Sequence, residues 1–480
     1  MTTPTAAILG IDLGTTDVKV GLVGLDGRLL SMARAGYPLD VDPETGRAEQ
    51  DPGAWWSAAV VAVHALHPPE AVDVVAIGVD GHGPTLAAVD ERGEAVRPAI
   101  TFLDTRARAA ADELATATGI RGWALGPLPA ALWLERNEPE SAERTRWYLN
   151  TWEWLAFRLT GVAAAPAVPG QDPPDADVVR AATGLRVERR PQPTAMGDVV
   201  GTLTTSAAAS LGLRAGIPVA GGTNDAFASY LGAGLTAAGD AYDPGGSAGG
   251  FGIYWHEPVD VPGAFVTPAP VPGLFSVGAA MAATGRALDW FRDSVAGGGI
   301  STEALLEEAA TTPPGADGVV FLPYLAGERS PIWDPTATGA FVGLTLAHGR
   351  GHLARAILEA SALAIRHVAE PMLAAGVRVI AMRACGGPAR SETWNQIKAD
   401  VTGFPVLVPA VLETAVLGSA MLGAVAIGAC PDVPSAVRAM ARIERRLEPR
   451  SELRATYDRV YRVYSGLYPA LQPLLQGGGG

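Results

Sequence analysis

From Ala6 to Leu30 the chain reads AAILGIDLGTTDVKVGLVGLDGRLL, with apolar positions alternating with small or polar ones and breaks at Gly14-Thr15-Thr16 and Asp26-Gly27. A period of two interrupted by turn residues predicts strand, tight turn, strand, turn, strand: a β-meander. The same pattern returns mid-chain in GDAYDPGGSAGGFGIYWHEP, with its turn at Gly245-Gly246-Ser247-Ala248-Gly249. Two such hairpins, each with a glycine- and hydroxyl-rich turn, point to two related domains joined near Asp240. A third meander is expected from Val74 to Asp80, Thr85 to Asp90 and Val96 to Phe102. Apolar spacing near 3.6 predicts helices over 50–65, 106–118, 352–375 and 391–402. Residues 163–177 (AAAPAVPGQDPPDAD) are Pro-rich and polar, so they form a loop. Strand clusters alternating with helices make the fold class α/β.

The run at 414–430, rich in Ala and Gly, is short of the roughly 20 residues a membrane span needs and reads as a buried helix. The N-terminus MTTPTAAILGIDLG has no basic segment, and only Cys385 and Cys430 occur, so neither a signal peptide nor a disulfide framework is expected. The expectation is a soluble, cytoplasmic protein with no membrane partner. The chain has 480 residues, enough for two or three cores, and 36 basic against 50 acidic side chains give a formal charge of −14. That balance speaks against a general nucleic-acid binder. Any phosphate site must be built locally. Among the basic residues only Lys19 and Lys398 are lysine, the rest arginine, so a lysine beside the first glycine turn stands out.

Several segments carry candidate chemistry. In Asp12-Leu13-Gly14-Thr15-Thr16-Asp17-Val18-Lys19 a sharp turn can aim backbone N–H groups and Thr hydroxyls at phosphate oxygens, with Lys19 adding charge. Asp12 could meet Mg²⁺ through water; an ordinary hairpin with a solvated lysine is the alternative. Gly245 to Gly249 could hold the same phosphates, but it also matches GxSxG, whose nucleophilic Ser247 would need a helix directly after it. The strand-like Gly250 to Tyr254 follows instead, which leaves an α/β-hydrolase as the rival from another class. In Ala220-Gly221-Gly222-Thr223-Asn224-Asp225, Asp225 opens a helix, either as a cap or as a carboxylate that accepts a hydroxyl proton. Unshifted, it would be ionised at neutral pH. Cys385-Gly386-Gly387-Pro388-Ala389-Arg390-Ser391 joins a strand to a Ser-capped helix, as an adenosine pocket or any tight corner would. His348 and His352 lack the Glu of a zinc-protease motif and read as solvated or capping residues. His82, at a strand-to-turn apex in Asp80-Gly81-His82-Gly83, is the histidine of interest.

Together these pieces resemble one family, the FGGY carbohydrate kinases of the actin-like ATPase superfamily. The matching stretches run in order: GIDLGTTDVKV, VDGHG with RPAITFLDTR, GIPVAGGTNDAFASYLGAG, DPGGSAGG, the long segment from Phe321 to Glu359, and CGGPARSETWNQIKADVTGFPV. The resemblance implies two actin-like (ribonuclease H-like) domains with a cleft between them, 1–240 carrying the sugar and the catalytic base and 241–476 the nucleotide. It implies ATP and Mg²⁺ as cofactors, Asp225 as base and Asp12 as the metal-associated acid. Gly14, Thr15, Thr16 and Lys19 would meet the phosphates from one side, Gly246 and Ser247 from the other, with Gly386, Gly387 and Ser391 lining the nucleotide site. Asp80, His82, Phe102 and Asp104 would face the sugar. Glu328 and Arg329 match the family motif and are expected to form an internal ion pair. The His of a xylulokinase Met-His-Gly is present as His82, its Met is not, and the glycerol kinase Asn-Gln-Arg-Glu-Thr segment is missing. A pentulose such as xylulose is therefore the foremost substrate, with ribulose or a pentitol as alternatives and a non-catalytic sugar sensor as a further rival. A homodimer is compatible with the sequence, which does not set the oligomeric state.

Overall fold

The computed structural model describes residues 4–68, 71–246 and 248–476. The chain forms two compact units. The first comprises the residues up to Gly234 with Pro268–Gly273 and Glu413–Ala441; the second comprises Leu235–Thr267, Leu274–Leu412 and the chain from Arg442 onward.

In the first unit β1 (Thr5–Leu13), β2 (Asp17–Gly24) and β3 (Leu29–Gly36) form the expected antiparallel meander. Helix α1 (Pro52–His64) starts where Asp51 caps it and proline takes the first turn, a position whose N–H has no helical partner to lose. Strand β4 (Val72–Gly81) pairs parallel with β1. The third meander forms only in part: its second and third segments bridge antiparallel, Leu86 with Ile100 and Val89 with Ala95, but β4 does not join them. Ala87–Val89 pairs with Trp147–Leu149, and Ala99–Ile100 pairs with Arg47–Gln50, because β4 is taken up on both sides by strands distant in sequence. Helix α2 (Thr151–Thr160) opens with a capping box at Asn150 and Glu153. Then come β5 (Val199–Thr202), β6 (Pro218–Ala220) and α3 (Asp225–Gly232). The sheet runs β5-β6-β4-β1-β2-β3, with the two-residue strand Thr223–Asn224 also on β4. Within 163–177, Ala165–Ala167 pairs with Pro193–Ala195.

The second unit repeats this plan. Strands β7 (Asp240–Asp243), β8 (Gly250–Trp255) and β9 (Phe275–Ala280) form an antiparallel run. Helix α4 (Arg350–Ala374) lies buried along much of its length, and β10 (Ala381–Ala384), α5 (Glu392–Thr402) and β11 (Val406–Pro409) follow. After α6 (Thr414–Ala426) the chain returns as β12 (Ile443–Leu447). The order β12-β11-β10-β7-β8-β9, extended at the β9 edge by Phe265–Pro268, matches the first sheet strand for strand, with the same parallel and antiparallel neighbours. The repeat inferred from two glycine turns is thus a repeat of whole sheets.

The second half of the chain is not one continuous domain from 241 onward. Helix α6, read from sequence as a buried helix in that half, belongs to the first unit, where Thr414 to Ala424 are buried throughout. The reason is steric. A Cβ on Gly10 of β1 would lie 2.3 Å from the Val416 carbonyl oxygen, and one on Gly78 of β4 1.8 Å from that of Ser419. A Cβ on Gly232 of α3 would lie 1.8 Å from the Thr414 carbonyl, and one on Gly418 1.9 Å from that of Ala228. Backbone meets backbone here, with no room for side chains. Among the described residues no helix is long and apolar enough to cross a membrane.

Gly78→Ala is expected to destabilise the protein by about 1–3 kcal/mol, the usual range for overpacking, because the obstacle is backbone rather than a movable side chain. A melting temperature equal to wild type would show that α6 can withdraw at little cost.

Candidate active site

Parallel pairing sets Asp12 opposite Asp80, and Thr223 opposite Asp80 on its other side. Three neighbouring strands therefore end together and carry their acids to one edge, the position where open α/β sheets place ligands. Asp225 is the first residue of α3. The capping role belongs to Asn224, whose side chain accepts the Phe227 amide at 2.8 Å, while Asp225 Oδ1 accepts the amide of Ala226 at 2.7 Å.

Burial, reinforced by the charge of Asp12, pushes the Asp225 carboxyl up to about 7, against the opposing Ala226 amide and Lys19. It is therefore not the unshifted carboxyl that would be ionised at neutral pH: enclosure disfavours the charged form. Asp80 is wholly buried and held well above the carboxylate range by burial and then by Asp12; the Ser419 hydroxyl of α6, which donates to Asp80 Oδ2, opposes this. Lys19 Nζ lies 3.0 Å from Asp12 Oδ2 and 3.9 Å from Asp17 Oδ1, and Asp12 holds the ammonium above its usual range despite burial. Lys19 is therefore not a solvated lysine.

The turn after β1 is tied down from two sides. Tyr37 donates its hydroxyl to the Gly14 carbonyl, and Gln50 Nε2 donates to the Thr15 carbonyl at 2.7 Å. Gly14 keeps an ordinary negative φ, so its value lies in close approach: a Cβ there would sit 3.0 Å from the Asp17 carbonyl oxygen. Thr16 faces solvent. Gln50, which sequence reasoning missed, accepts the Trp55 indole N–H at 3.3 Å, and Trp55 meets His82 edge-on at 5.6 Å between centroids. Burial lowers His82 to about 3, so it is neutral, and its Nδ1 lies 3.1 Å from the Thr85 hydroxyl. His82 Nε2 and Trp152 Nε1 are buried without a hydrogen-bond partner among the described residues. Trp152 packs so tightly over Gly83 that a Cβ there would come within 2.9 Å of its ring. Phe102 lies 6.0 Å from the His82 ring and is 38% exposed.

The Asp104 carboxylate is engaged within the protein. It accepts the amides of Ala48 and Arg106, each at 2.9 Å, and the Arg106 guanidinium, which also reaches Glu49 and lies over Trp133 at 4.3 Å. Arg97 is likewise ion-paired to Glu49.

In the second unit Asp243, closing β7, pairs with Ala384 of β10, and the Cys385 amide donates to the Asp243 carbonyl at 3.0 Å. The two glycine turns interlock. At φ +57° a Cβ on Gly245 would lie 2.1 Å from the Cys385 carbonyl, and at φ +68° one on Gly386 would lie 2.7 Å from that of Pro244. Gly246 and Gly387 instead border open space. Ser391 is committed as the cap of α5, accepting the Trp394 amide at 3.2 Å. Ser247 lies outside the described residues; the chain from Gly250 onward is strand, not the helix a nucleophile elbow requires. His348 and His352 each accept a backbone amide through Nδ1, from Thr345 and Gly349. The Glu328 carboxylate accepts the amides of Ala282 and Arg329, while the Arg329 guanidinium donates to the Met281 carbonyl.

Residues 7–167 match the FGGY family of carbohydrate kinases, N-terminal domain, and residues 246–427 match its C-terminal domain. The chain is 30% identical to a xylulose kinase of Bacillus subtilis over 82% of this chain and 83% of that one. It is 27% identical to a gluconokinase of the same organism over 85% of each chain. The crystal structure of xylulose kinase from Rhodospirillum rubrum covers 98% of this chain and is itself covered completely, with a TM-score of 0.81 at 32% identity. The chain belongs to the FGGY family of carbohydrate kinases and is a sugar kinase with the two-domain actin-like ATPase fold.

A carboxyl accepts a proton only when ionised, so if Asp225 takes the proton in the reaction, kcat/KM is expected to rise with pH along a limb centred near 7 and to fall as pH drops below it. A profile level down to pH 5 would mean that the carboxyl titrates in the ordinary range.

Proposed function

We propose that the protein transfers the γ-phosphoryl group of ATP to a hydroxyl of a pentulose such as xylulose, with Asp225 as general base. In-line transfer has a loose transition state in which positioning and charge outweigh strong basicity. A carboxylate with a pKa near the working pH accepts the hydroxyl proton as the new O–P bond forms. Asp12 raises that pKa through its charge, and Lys19 limits the rise. The Gly14 turn with Lys19, and the open faces of Gly246 and Gly387, are the proposed phosphate and nucleotide contacts.

The observation carrying the choice of a neutral ketose is the character of the His82 surroundings. His82 is uncharged and buried among Trp55, Phe102 and the Gly83–Trp152 contact, and two nitrogens lack partners that sugar hydroxyls would supply. The guanidiniums of Arg97 and Arg106 are already ion-paired with Glu49 and Asp104, which weakens their pull on an aldonate carboxylate, although Arg97 Nε and Nη1 have no hydrogen-bond partner among the described residues. The relatives named xylulose kinase point the same way.

Mg²⁺ would be met at Asp12, a buried carboxylate steadied by Lys19. Among the described residues no group of three or more His, Cys, Asp or Glu side chains could hold a metal; Mg²⁺ at a phosphate-transfer site is generally held through one or two carboxylates with substrate phosphates and water. When bound, the ion supplies charge neutralisation at the phosphates.

An ADP-release assay over pentuloses, pentitols, hexuloses, gluconate and glycerol is expected to give the highest kcat/KM with a pentulose. A higher value with gluconate or glycerol would reject the substrate assignment, and no ADP release with any of them would favour a sensor. Asp225→Asn is expected to lower kcat by at least about 10²-fold, the lower range for a lost general base. Turnover near wild type would remove Asp225 from the reaction.

A further inference from the structure

The chain has two lysines, and each pairs with an aspartate near the end of a corresponding strand, Lys19 from the neighbouring strand β2 and Lys398 from helix α5. Lys19 pairs with Asp12 near the end of β1; Lys398 pairs with Asp243, the last residue of β7, which is the counterpart of β1 in the repeated sheet. Lys398 is 2% exposed, and its ammonium lies 5.6 Å from the Trp394 ring centroid. Its partner has two contacts to make: Asp243 Oδ2 accepts from Lys398 Nζ, while Asp243 Oδ1 accepts the Gly245 amide at 3.0 Å. Gly245 is the glycine locked against Cys385, and the next residue, Gly246, borders open space. The ammonium thus fixes the carboxylate, the carboxylate fixes the first amide of the turn, and the turn presents Gly246. A guanidinium, with five donors in a rigid planar fork, does not reproduce the contacts of a compact three-donor ammonium, a physical reason for a lysine at this buried position in a chain that otherwise uses arginine.

We infer that Lys398, acting through Asp243, is a positioning residue for the nucleotide's phosphates: it sets the Gly245–Gly246 turn without touching the ligand. This rests on the reading of that turn as a nucleotide contact. The test uses the full chain with Lys398→Met and the double variant Asp243→Asn/Lys398→Met, measuring melting temperature and KM for ATP and sugar separately. Lys398→Met is expected to raise KM for ATP about tenfold while leaving KM for sugar within about twofold, and to melt lower because a buried carboxylate loses its partner. The double variant, with no buried charge, is expected to regain stability yet keep the raised KM for ATP, since the Asn oxygen still accepts the Gly245 amide but nothing holds it in place. If KM for ATP recovers along with the melting temperature, Lys398 is merely structural and the inference fails. An unchanged KM for ATP in Lys398→Met also overturns it. Should the single variant not fold, the double variant decides. Gly246→Val, which fills the open space, tests the nucleotide reading independently: if its KM for ATP is unaltered, that reading is wrong, whatever Lys398 does.

Discussion

The backbone-to-backbone seating of α6 is the constraint on which the first unit depends. Gly10, Gly78, Gly232 and Gly418 leave no Cβ at the points of closest approach, so the helix settles onto β1, β4 and α3 at once. Two of those elements carry Asp12 and Asp80, and the third begins with Asp225. Ser419 adds a hydrogen bond to Asp80 from the same helix. A shift of α6 would move all three acids together, so the spacing of the site is a packing property before it is an electrostatic one.

That spacing has an electrostatic consequence. Three carboxyl groups gathered at one sheet edge and shielded from water cannot all ionise cheaply. The structure answers with one lysine and graded enclosure: Asp80, fully interior, is driven far up, while Asp225 is held near neutrality. A group that both accepts and releases a proton near pH 7 suits a reaction run in both protonation states each turnover. The polar atoms around His82 show the opposite economy, buried and uncharged.

Much of this was legible in the sequence, for identifiable reasons. Period-two alternation and glycine turns revealed both meanders, because they are local and nearly free of long-range competition. The Gly-Gly-Thr-Asn-Asp string marked a strand-to-helix corner, and the structure brings Asp225 beside Asp12 as the motif order suggested. Where reading failed, the missing information was tertiary. Nothing within a few residues of Asp104 announces that the Ala48 amide will occupy it. Gln50 looked like the edge of a helix, yet it braces the Thr15 turn. The pKa of Asp225 depends on enclosure that a string of letters does not display. The run 414–426 advertised burial clearly but not whose core it would complete, since its partners are glycines some 180 to 400 positions earlier.

That last separation matters during synthesis. By the time Gly234 has left the ribosome every strand of the first sheet exists, but the groove over Gly10 and Gly78 stays uncovered until nearly two hundred further residues have been made. The amino-terminal half must therefore wait, apolar face open, at a stage when nascent chains are prone to misassociate. Premature termination before Thr414 would leave a polypeptide with Asp12, Asp80 and Asp225 but no lid for its own interior.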